Sequence, residues 1–231
     1  MPSATESLRA LGVDPVACTR FCEQPDLLTV GGTKNPDVAA IVALRPDLVV
    51  VNDEENRIED AAALEARGLR LHSMSPRSVT DVGPAVVALA AAVGVAAPPR
   101  FAESAWTEWL AAPHVASDVP VRTAAVLVWR RPWMTLASDT YGSSVLAVLG
   151  IANVCGAADA RYPEVTLEEL AALRPALAVL PDEPYAFGER HVPEVEAALA
   201  PARAVLVDGR DLFWWGTRTP DAVSRLGARL A

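Results

Sequence analysis

A segment that occurs twice constrains the fold of this chain more than any other feature. Residues 38–56 and 167–185 align without gaps, and both carry Ala-Leu-Arg-Pro followed by a short apolar run and Asp-Glu. Proline disfavours the α conformation in the residue before it, so each copy predicts a helix that ends at the arginine, then a strand and an acidic loop. A duplicated unit of this kind predicts two lobes of one architecture.

The apolar runs of the two copies indicate how their strands are buried. Leu48–Val51 and Leu177–Leu180 contain no polar side chain, which favours parallel sheets covered by helices. Ligands of such sheets bind outside the carboxyl ends of the strands, which is where the two acidic loops follow. We therefore predict an α/β fold with an N-terminal α/β lobe at 1–77, a helical connector at 78–116 and a C-terminal α/β lobe at 117–231.

Charge and hydropathy exclude two classes of protein. The 231 residues carry a formal net charge of -9, whereas sequence-independent binding of nucleic acid needs a basic surface. Prolines confine the uncharged stretch 82–99 to less than the roughly 20 residues that a membrane-spanning helix needs. The sequence as written opens without a signal-peptide pattern, so we expect a cytoplasmic protein, with an extracytoplasmic location as the alternative if the true start lies upstream.

Aromatic side chains are concentrated in segments that follow the strands predicted for the second lobe, and in neighbouring loops. Aromatics at strand ends suit a flat apolar ligand, but large aromatics also commonly pack into a core, and both interpretations stay open here. The aromatic candidates for ligand contact are Trp133, Tyr141, Tyr162, Tyr185, Trp214 and Trp215.

Polar candidates lie in the acidic loops and in the turn before the first copy. Carboxylates in such loops could orient a polar edge of a ligand, bind a cation or transfer protons, or they could serve only as helix caps. Lys34 follows two glycines and approaches a helix start, which makes it a candidate for contact with an anion. The polar candidates are Lys34, Asn35, Glu54, Glu55, Asn56 and Glu183.

Metal ligation by protein side chains has two weak candidates, His191 near the predicted rim of the second lobe and Cys22 in an early loop. A lone histidine is more often a surface or capping residue, and a free cysteine is more often a small buried hydrophobe. We predict no catalytic residues, because the sequence contains no G-x-S-x-G, Walker or dinucleotide-binding motif.

Short motifs spread over nearly the whole chain carry a family resemblance. They are Val30–Pro36, Leu44–Asn56, Pro132–Met134, Asp139–Tyr141, Asn153-Val154, Arg161–Glu164, Glu183–Tyr185, His191, Val207–Gly209 and Trp215-Gly216. In combination they resemble the helical-backbone metal receptor group, the class III binding proteins of ABC importers for cobalamin and iron siderophores. The resemblance implies two α/β lobes joined by a single long backbone helix, with a corrinoid, haem or ferric siderophore in the cleft between the lobes.

The same resemblance implies a monomeric binding protein rather than an enzyme, with no obligatory cofactor and a ligand that brings its own cobalt or iron. It implies docking on an ABC permease through one surface carboxylate per lobe. Glu168 falls at the matching position of the second lobe, whereas in the first lobe the match falls on Ile58, with Glu59 adjacent. Relatives begin with a strand directly before the segment that corresponds to Pro2–Glu6, so we expect the first strand of the N-terminal lobe to be missing.

Two alternatives remain open from the sequence. Because fold does not determine function, a cytoplasmic enzyme or sensor built on the same scaffold could use Glu54 and Glu183 for acid–base chemistry. An interaction module with a vestigial cleft would bind no small molecule at all. The leading hypothesis is the receptor for a metal chelate.

Overall fold

The computed structural model describes residues 1–114 and 122–231, and the chain divides into two compact units. The first unit comprises Met1–Pro76, Asp81–Trp109 and Trp215–Arg218. The second comprises Arg77–Thr80, Leu110–Trp214 and Thr219–Ala231, of which 115–121 are not described. The boundary predicted between residues 116 and 117 lies outside the described residues.

The N-terminal part of the chain alternates helices with short strands. Its elements are α1 (Pro2–Ala10), β1 (Ala17–Cys18), β2 (Leu28–Thr29), α2 (Val38–Leu44), β3 (Val49–Val51), α3 (Ile58–Glu65), β4 (Leu71–Ser73), α4 (Val79–Ala92) and α5 (Glu103–Ala111). Strands β1 and β2 pair in parallel, and β3 and β4 form a second parallel pair. The first unit therefore contains two separate two-stranded sheets.

The helical segment after β4 differs from the predicted single long helix. Helix α4 ends at Ala92, and a 3-10 turn at Pro99–Phe101 separates it from α5. Gly94 has a φ of +76°, a conformation that glycine adopts without strain, and the prolines that follow cannot continue a helix. In the described ranges, no helix combines the length and the apolar character that crossing a membrane requires.

The second unit contains a four-stranded sheet. Its elements are β5 (Arg122–Val126), α6 (Tyr141–Val148), β6 (Ile151–Asn153), α7 (Leu167–Ala172), β7 (Leu177–Pro181), α8 (Val192–Leu199), β8 (Arg203–Val207), α9 (Gly209–Phe213) and α10 (Thr219–Leu230). The strand order is β6-β5-β7-β8, and all neighbours are parallel. Every residue of β7 is buried, which confirms the parallel, buried strand predicted from this apolar run.

Both copies of the duplicated segment fold in the same way. In each, a helix ends just before Arg-Pro and the chain then enters a parallel strand, β3 in the first copy and β7 in the second. Arg45 and Arg174 have left-handed backbones, with φ of +48° and +50°. Neither adopts the right-handed α conformation that a following proline disfavours, although neither takes the extended conformation that proline usually imposes. The predicted helix–strand–loop unit is therefore confirmed in both units.

Helix α7 begins with a capping box. The Thr166 hydroxyl accepts a hydrogen bond from the Glu169 N–H at 3.1 Å, and the Glu169 carboxylate accepts one from the Thr166 N–H at 2.7 Å. Replacing Thr166 with alanine should lower the free energy of unfolding by about 1 kcal/mol, because the first turn loses its cap. Urea denaturation measures this; Glu168→Ala leaves both bonds in place and is the control. Equal losses in the two variants would contradict the capping role.

Candidate functional site

Aromatic side chains meet at the carboxyl edge of the sheet in the second unit. Strands β5 and β7 are adjacent and parallel, so the segments that follow them leave the sheet at the same edge. Trp129 follows β5 and Tyr185 follows β7, and their rings meet edge to face with centroids 5.6 Å apart. The parallel pairing therefore brings together aromatics that are distant in sequence.

Five rings form what we call the aromatic cluster: Trp129, Trp133, Tyr185, Phe187 and His191. Trp133 lies nearly parallel to Phe187, with an interplanar angle of 6° and 6.1 Å between centroids. Phe187 in turn lies 4.7 Å from Tyr185. Aromatic quadrupoles favour such offset and tilted pairs, so the rings hold each other in place.

The aromatic cluster rests on the hydrophobic core of the second unit. Phe187 is buried among core residues that include Leu180, whereas Trp133 and Tyr185 are only partly buried against the same core. Trp129 is 41% exposed. Phe187 therefore fits the interpretation that these aromatics pack into the core. Trp129, Trp133 and Tyr185 present ring surface to solvent, as the interpretation of ligand contact requires. Rings that are already held lose little side-chain entropy when a ligand binds.

Arg130 and Glu194 form an ion pair beside this cluster, which the sequence did not predict. Arg130 Nη2 lies 2.8 and 3.1 Å from the two carboxylate oxygens of Glu194, and the guanidinium lies 5.6 Å from the Trp133 ring centroid. Desolvation lowers the pKa of Arg130, but hydrogen bonds with Glu194 and Tyr185 outweigh it and raise that pKa above its ordinary value. The only signal in the sequence was an arginine next to a tryptophan at a strand end.

Two of the aromatic residues predicted to contact a ligand, Tyr141 and Trp215, are largely buried, and ligand contact by them stays a prediction. Tyr141 is 7% exposed, and its hydroxyl shares a 2.8 Å hydrogen bond with the hydroxyl of Thr219, so the ring packs at the start of α6. Trp215 is 8% exposed and groups with the first unit rather than the second. The other two candidates keep accessible surface: Tyr162 is exposed, and Trp214 is half-buried with the guanidinium of Arg210 6.0 Å from its ring.

Neither candidate metal ligand is accessible. His191 is buried, and its Nδ1 accepts a hydrogen bond from the Gly188 N–H at 3.0 Å. Cys22 is also buried, with its Sγ 3.3 Å from the Thr5 hydroxyl. Across residues 1–114 and 122–231, no three His, Cys, Asp or Glu side chains are grouped to hold a metal ion. Both residues are packed inside the protein, and ligation of a metal by either one stays a prediction.

In the first unit, Asn52 organises the acidic loop. Its Oδ1 accepts hydrogen bonds from the N–H groups of Glu54 and Glu55, at 2.9 and 3.0 Å. Asn56 closes the loop, since its Oδ1 accepts from the Asn52 N–H and its Nδ2 donates to the carbonyl oxygen of Thr33, both at 2.9 Å. The loop is thus held by amide side chains, and the Glu54 and Glu55 side chains are exposed.

Lys34 joins the acidic loop. Its Nζ donates to the carbonyl oxygen of Glu54 at 3.0 Å, and Asn35 lies in the same turn, where its carbonyl accepts from the Gly32 N–H at 3.1 Å. The structure therefore places Lys34 at the loop that carries Glu54, although the two were predicted from separate motifs. Ligand contact by these residues stays a prediction.

The corresponding loop of the second unit is held against the start of α9. Asp182 Oδ1 accepts a hydrogen bond from the Gly209 N–H at 2.7 Å, while the N-cap of α9 is Asp208, whose side chain accepts from the Arg210 N–H. Glu183 packs directly on Gly209, so that a β-carbon built there would lie 2.5 Å from Glu183 Cγ. Glu183 is half-buried, and its contact with a ligand stays a prediction.

The two carboxylates predicted to dock on a permease are both exposed. Glu168 lies in the first turn of α7, and Glu59 lies in the first turn of α3. Ile58, directly before Glu59, is 79% exposed. These positions are accessible to a partner, and the docking role itself stays a prediction.

Comparisons with known proteins support the fold. No family model matches the chain. It is 23% identical over 185 residues to the vitamin B12-binding protein of Vibrio cholerae, an alignment that covers 75% of this chain and 66% of that relative, so the chain spans just under two thirds of the relative's length.

Two solved structures from Vibrio cholerae match almost end to end. The periplasmic vitamin B12 binding protein BtuF has a TM-score of 0.78 at 20% identity, with 100% of this chain and 94% of that chain covered. The periplasmic haem-binding protein HutB has a TM-score of 0.82 at 17% identity, with 99% and 96% covered. These relatives are binding proteins by name, and the matches confirm the α/β fold and the resemblance inferred from the motifs.

Proposed function

We propose that this chain, which has the fold of the periplasmic vitamin B12- and haem-binding proteins, is itself a binding protein for a metal chelate. The ligand class is a corrinoid, a haem or a ferric siderophore, with the metal already held by the chelate. The observation that carries the proposal is the aromatic cluster, whose half-exposed rings lie at the carboxyl edge of a parallel sheet.

The chemistry of the cluster supports this ligand class. A chelate ring presents a broad apolar face, and Trp133 and Tyr185 offer partly buried rings that are already supported from below by Phe187. Each aromatic pair contributes about 0.5–1.5 kcal/mol beyond the area it buries. A micromolar complex requires about 8 kcal/mol, so ring contacts must combine with apolar burial. Because Cys22 and His191 are buried, the proposal assigns the metal's ligands to the chelate.

Delivery to an ABC permease, with the exposed Glu168 and Glu59 as docking carboxylates, completes the proposal. It draws support from the sequence resemblance and from the exposure of both side chains.

Direct binding tests the proposal. Equilibrium dialysis of the full chain against cyanocobalamin, haemin and a ferric siderophore, each followed by its own absorbance, should give a dissociation constant of about 1 μM or tighter for one of them. Dialysis avoids the optical overlap between these chromophores and tryptophan fluorescence. If none of the three is retained at concentrations of roughly 100 μM, the ligand class is wrong.

The aromatic cluster makes a sharper prediction. Tyr185→Ala should weaken binding of the retained chelate about tenfold, because the ligand loses one ring contact and Phe187 loses a neighbour, together about 1.4 kcal/mol. The measurement is the dissociation constant by dialysis, with circular dichroism to confirm folding. Trp109→Phe is the control, since Trp109 stacks on Trp106 in α5, with centroids 4.7 Å apart, outside the cluster. Equal affinities for Tyr185→Ala and the unaltered chain would remove the cluster from the site.

A further inference from the structure

His191 lies in the second unit where the loop after β7 ends and α8 begins. It is 4% exposed and is the last residue of a 3-10 turn that runs directly into α8. Val195 and Leu199 of that helix are fully buried in the hydrophobic core of the unit. The imidazole therefore has a firm support on its helix side.

Backbone hydrogen bonds connect His191 to the loop that carries Tyr185. The imidazole Nδ1 accepts from the Gly188 N–H at 3.0 Å, and the His191 N–H donates to the Gly188 carbonyl oxygen at 2.9 Å. The Phe187 N–H in turn donates to the Tyr185 carbonyl oxygen at 2.8 Å. Because residues 187 and 188 are neighbours along the chain, these bonds fix the loop from Tyr185 to His191.

The imidazole also contacts two rings of the aromatic cluster. Its centroid lies 5.6 Å from that of Tyr185 and 5.4 Å from that of Phe187, and both pairs meet edge to face. Tyr185 keeps accessible surface, whereas His191 is buried. His191 can therefore influence a ligand through Tyr185 without itself reaching solvent.

The protonation state of His191 matters because two donors face its ring. The Gly188 N–H points at Nδ1, and Arg190 Nε lies 3.2 Å from Nε2. A neutral imidazole has a single acceptor nitrogen, and an imidazolium has none. The backbone donor cannot turn away, whereas an arginine side chain can, so Nδ1 is the acceptor. A second proton on the ring would abolish the bond from Gly188.

The charged groups around His191 belong to two elements and the turn itself. Arg190 contacts the imidazole, and Glu189 precedes it in the same 3-10 turn. Arg130, which is paired with Glu194 of α8, also hydrogen-bonds to Tyr185. Among these types of side chain, the imidazole is the one that ordinarily changes its charge between pH 5 and pH 8.

We infer that His191 is a positioning residue of the candidate site, whose neutral imidazole holds residues 185–188 and thereby the Tyr185 ring where the chelate meets it. When His191 gains a proton, the Gly188 N–H loses its acceptor, the loop loosens and the chelate is held more weakly. The effect on affinity rests on the proposed function, whereas the restraint on the loop does not.

Two substitutions separate the acceptor from the ring. His191→Asn keeps an acceptor close to the position of Nδ1 and removes the ring, whereas His191→Phe keeps a ring and removes the acceptor. In the ligand-free chain at constant pH, His191→Phe should speed amide hydrogen exchange at Gly188 about tenfold or more. Its dissociation constant for the retained chelate, measured by dialysis, should rise about tenfold, because the buried donor is left unsatisfied.

His191→Asn should keep both values within about threefold of those of the unaltered chain, because the bond from Gly188 is retained. His72→Asn, in β4 of the first unit, is the matched control for loss of a histidine and should change neither value. A role in packing alone predicts the reverse order, with the phenylalanine variant close to the unaltered chain and the asparagine variant impaired. That order would overturn the inference.

A pH profile provides a second test that does not require the phenylalanine variant to fold. Between pH 8 and pH 5 the dissociation constant of the unaltered chain should rise several-fold, and that of His191→Asn should stay level. An equal rise in both would assign the effect to another titrating group and overturn the role of His191. If no chelate is retained by any variant, the proposed function fails, and exchange at Gly188 alone still decides whether His191 restrains the loop.

Discussion

Replacing Gly209 with alanine is expected to lower the free energy of unfolding of the second unit by about 3 kcal/mol, at the upper end of overpacking costs. A β-carbon at this position would lie 2.5 Å from Glu183 Cγ, 2.7 Å from the Glu183 carbonyl oxygen and 2.8 Å from its nitrogen. Two of these atoms belong to the backbone and cannot rotate away. The loop after β7 or the start of α9 must therefore move.

This displacement should also weaken ligand binding. The Gly209 N–H donates to Asp182 at 2.7 Å, and Tyr185 of the aromatic cluster follows only three residues after Asp182. A shift of the loop moves the Tyr185 ring relative to Trp129, so we expect the affinity for the chelate to fall together with stability. Thermal unfolding and equilibrium dialysis on the same preparation measure the two effects.

Gly188 provides the matched control for Gly209. A β-carbon at Gly188 would meet no atom within 4 Å, and its φ of -162° is an extended conformation that any residue adopts. Gly188→Ala should therefore leave both the melting temperature and the dissociation constant nearly unchanged. If the two alanine variants behave alike, the close approach of Gly209 to Glu183 does not support the loop.

Replacing Leu180 with alanine should have a similar or larger effect on stability. Leu180 is fully buried in β7 and belongs to the core cluster beneath Phe187. Truncation removes apolar contact and leaves a cavity, a combination that costs about 2–5 kcal/mol for leucine in a core. Urea denaturation should show the midpoint falling while its slope is retained, because a change in stability alone leaves the exposed area on unfolding unaltered.

Leu173 is the control for Leu180. It lies at the end of α7 and is 49% exposed, so truncation to alanine should cost much less than at Leu180. A loss at Leu173 as large as that at Leu180 would mean that the core described here does not determine the stability of the second unit.

Much of the fold follows from local patterns in the sequence. Proline restricts the residue before it wherever it occurs, so Arg45 and Arg174 could be recognised as helix ends without knowledge of any long-range contact. The apolar run 177–180 likewise predicted a strand buried on both faces, and β7 is buried throughout. Gly94 and the prolines after it end α4 before α5 begins, and this local signal is present in the sequence. The family resemblance nevertheless led us to expect one helix.

The residues of the candidate site were harder to predict from the sequence than the fold was, because the same residue type has different roles in different surroundings. Tyr141 and Tyr185 were both predicted as ligand contacts in loops. Tyr141 instead begins α6 and its hydroxyl bonds to Thr219 inside the protein, whereas the Tyr185 ring joins a half-exposed cluster. Arg130 and Glu194, 64 residues apart, form an ion pair that no local pattern could indicate. The sequence did not indicate that Asn52 holds the acidic loop.

The duplicated segment alone was therefore enough to predict two similar α/β units, since helix ends, apolar strands and loops arise from neighbours along the chain. The tertiary structure decided which aromatics remain accessible. The pairing of β5 with β7 brings Trp129 to Tyr185, and Phe187 lies in the core. Burial depends on every element that packs around a side chain, and that information is spread over the whole chain.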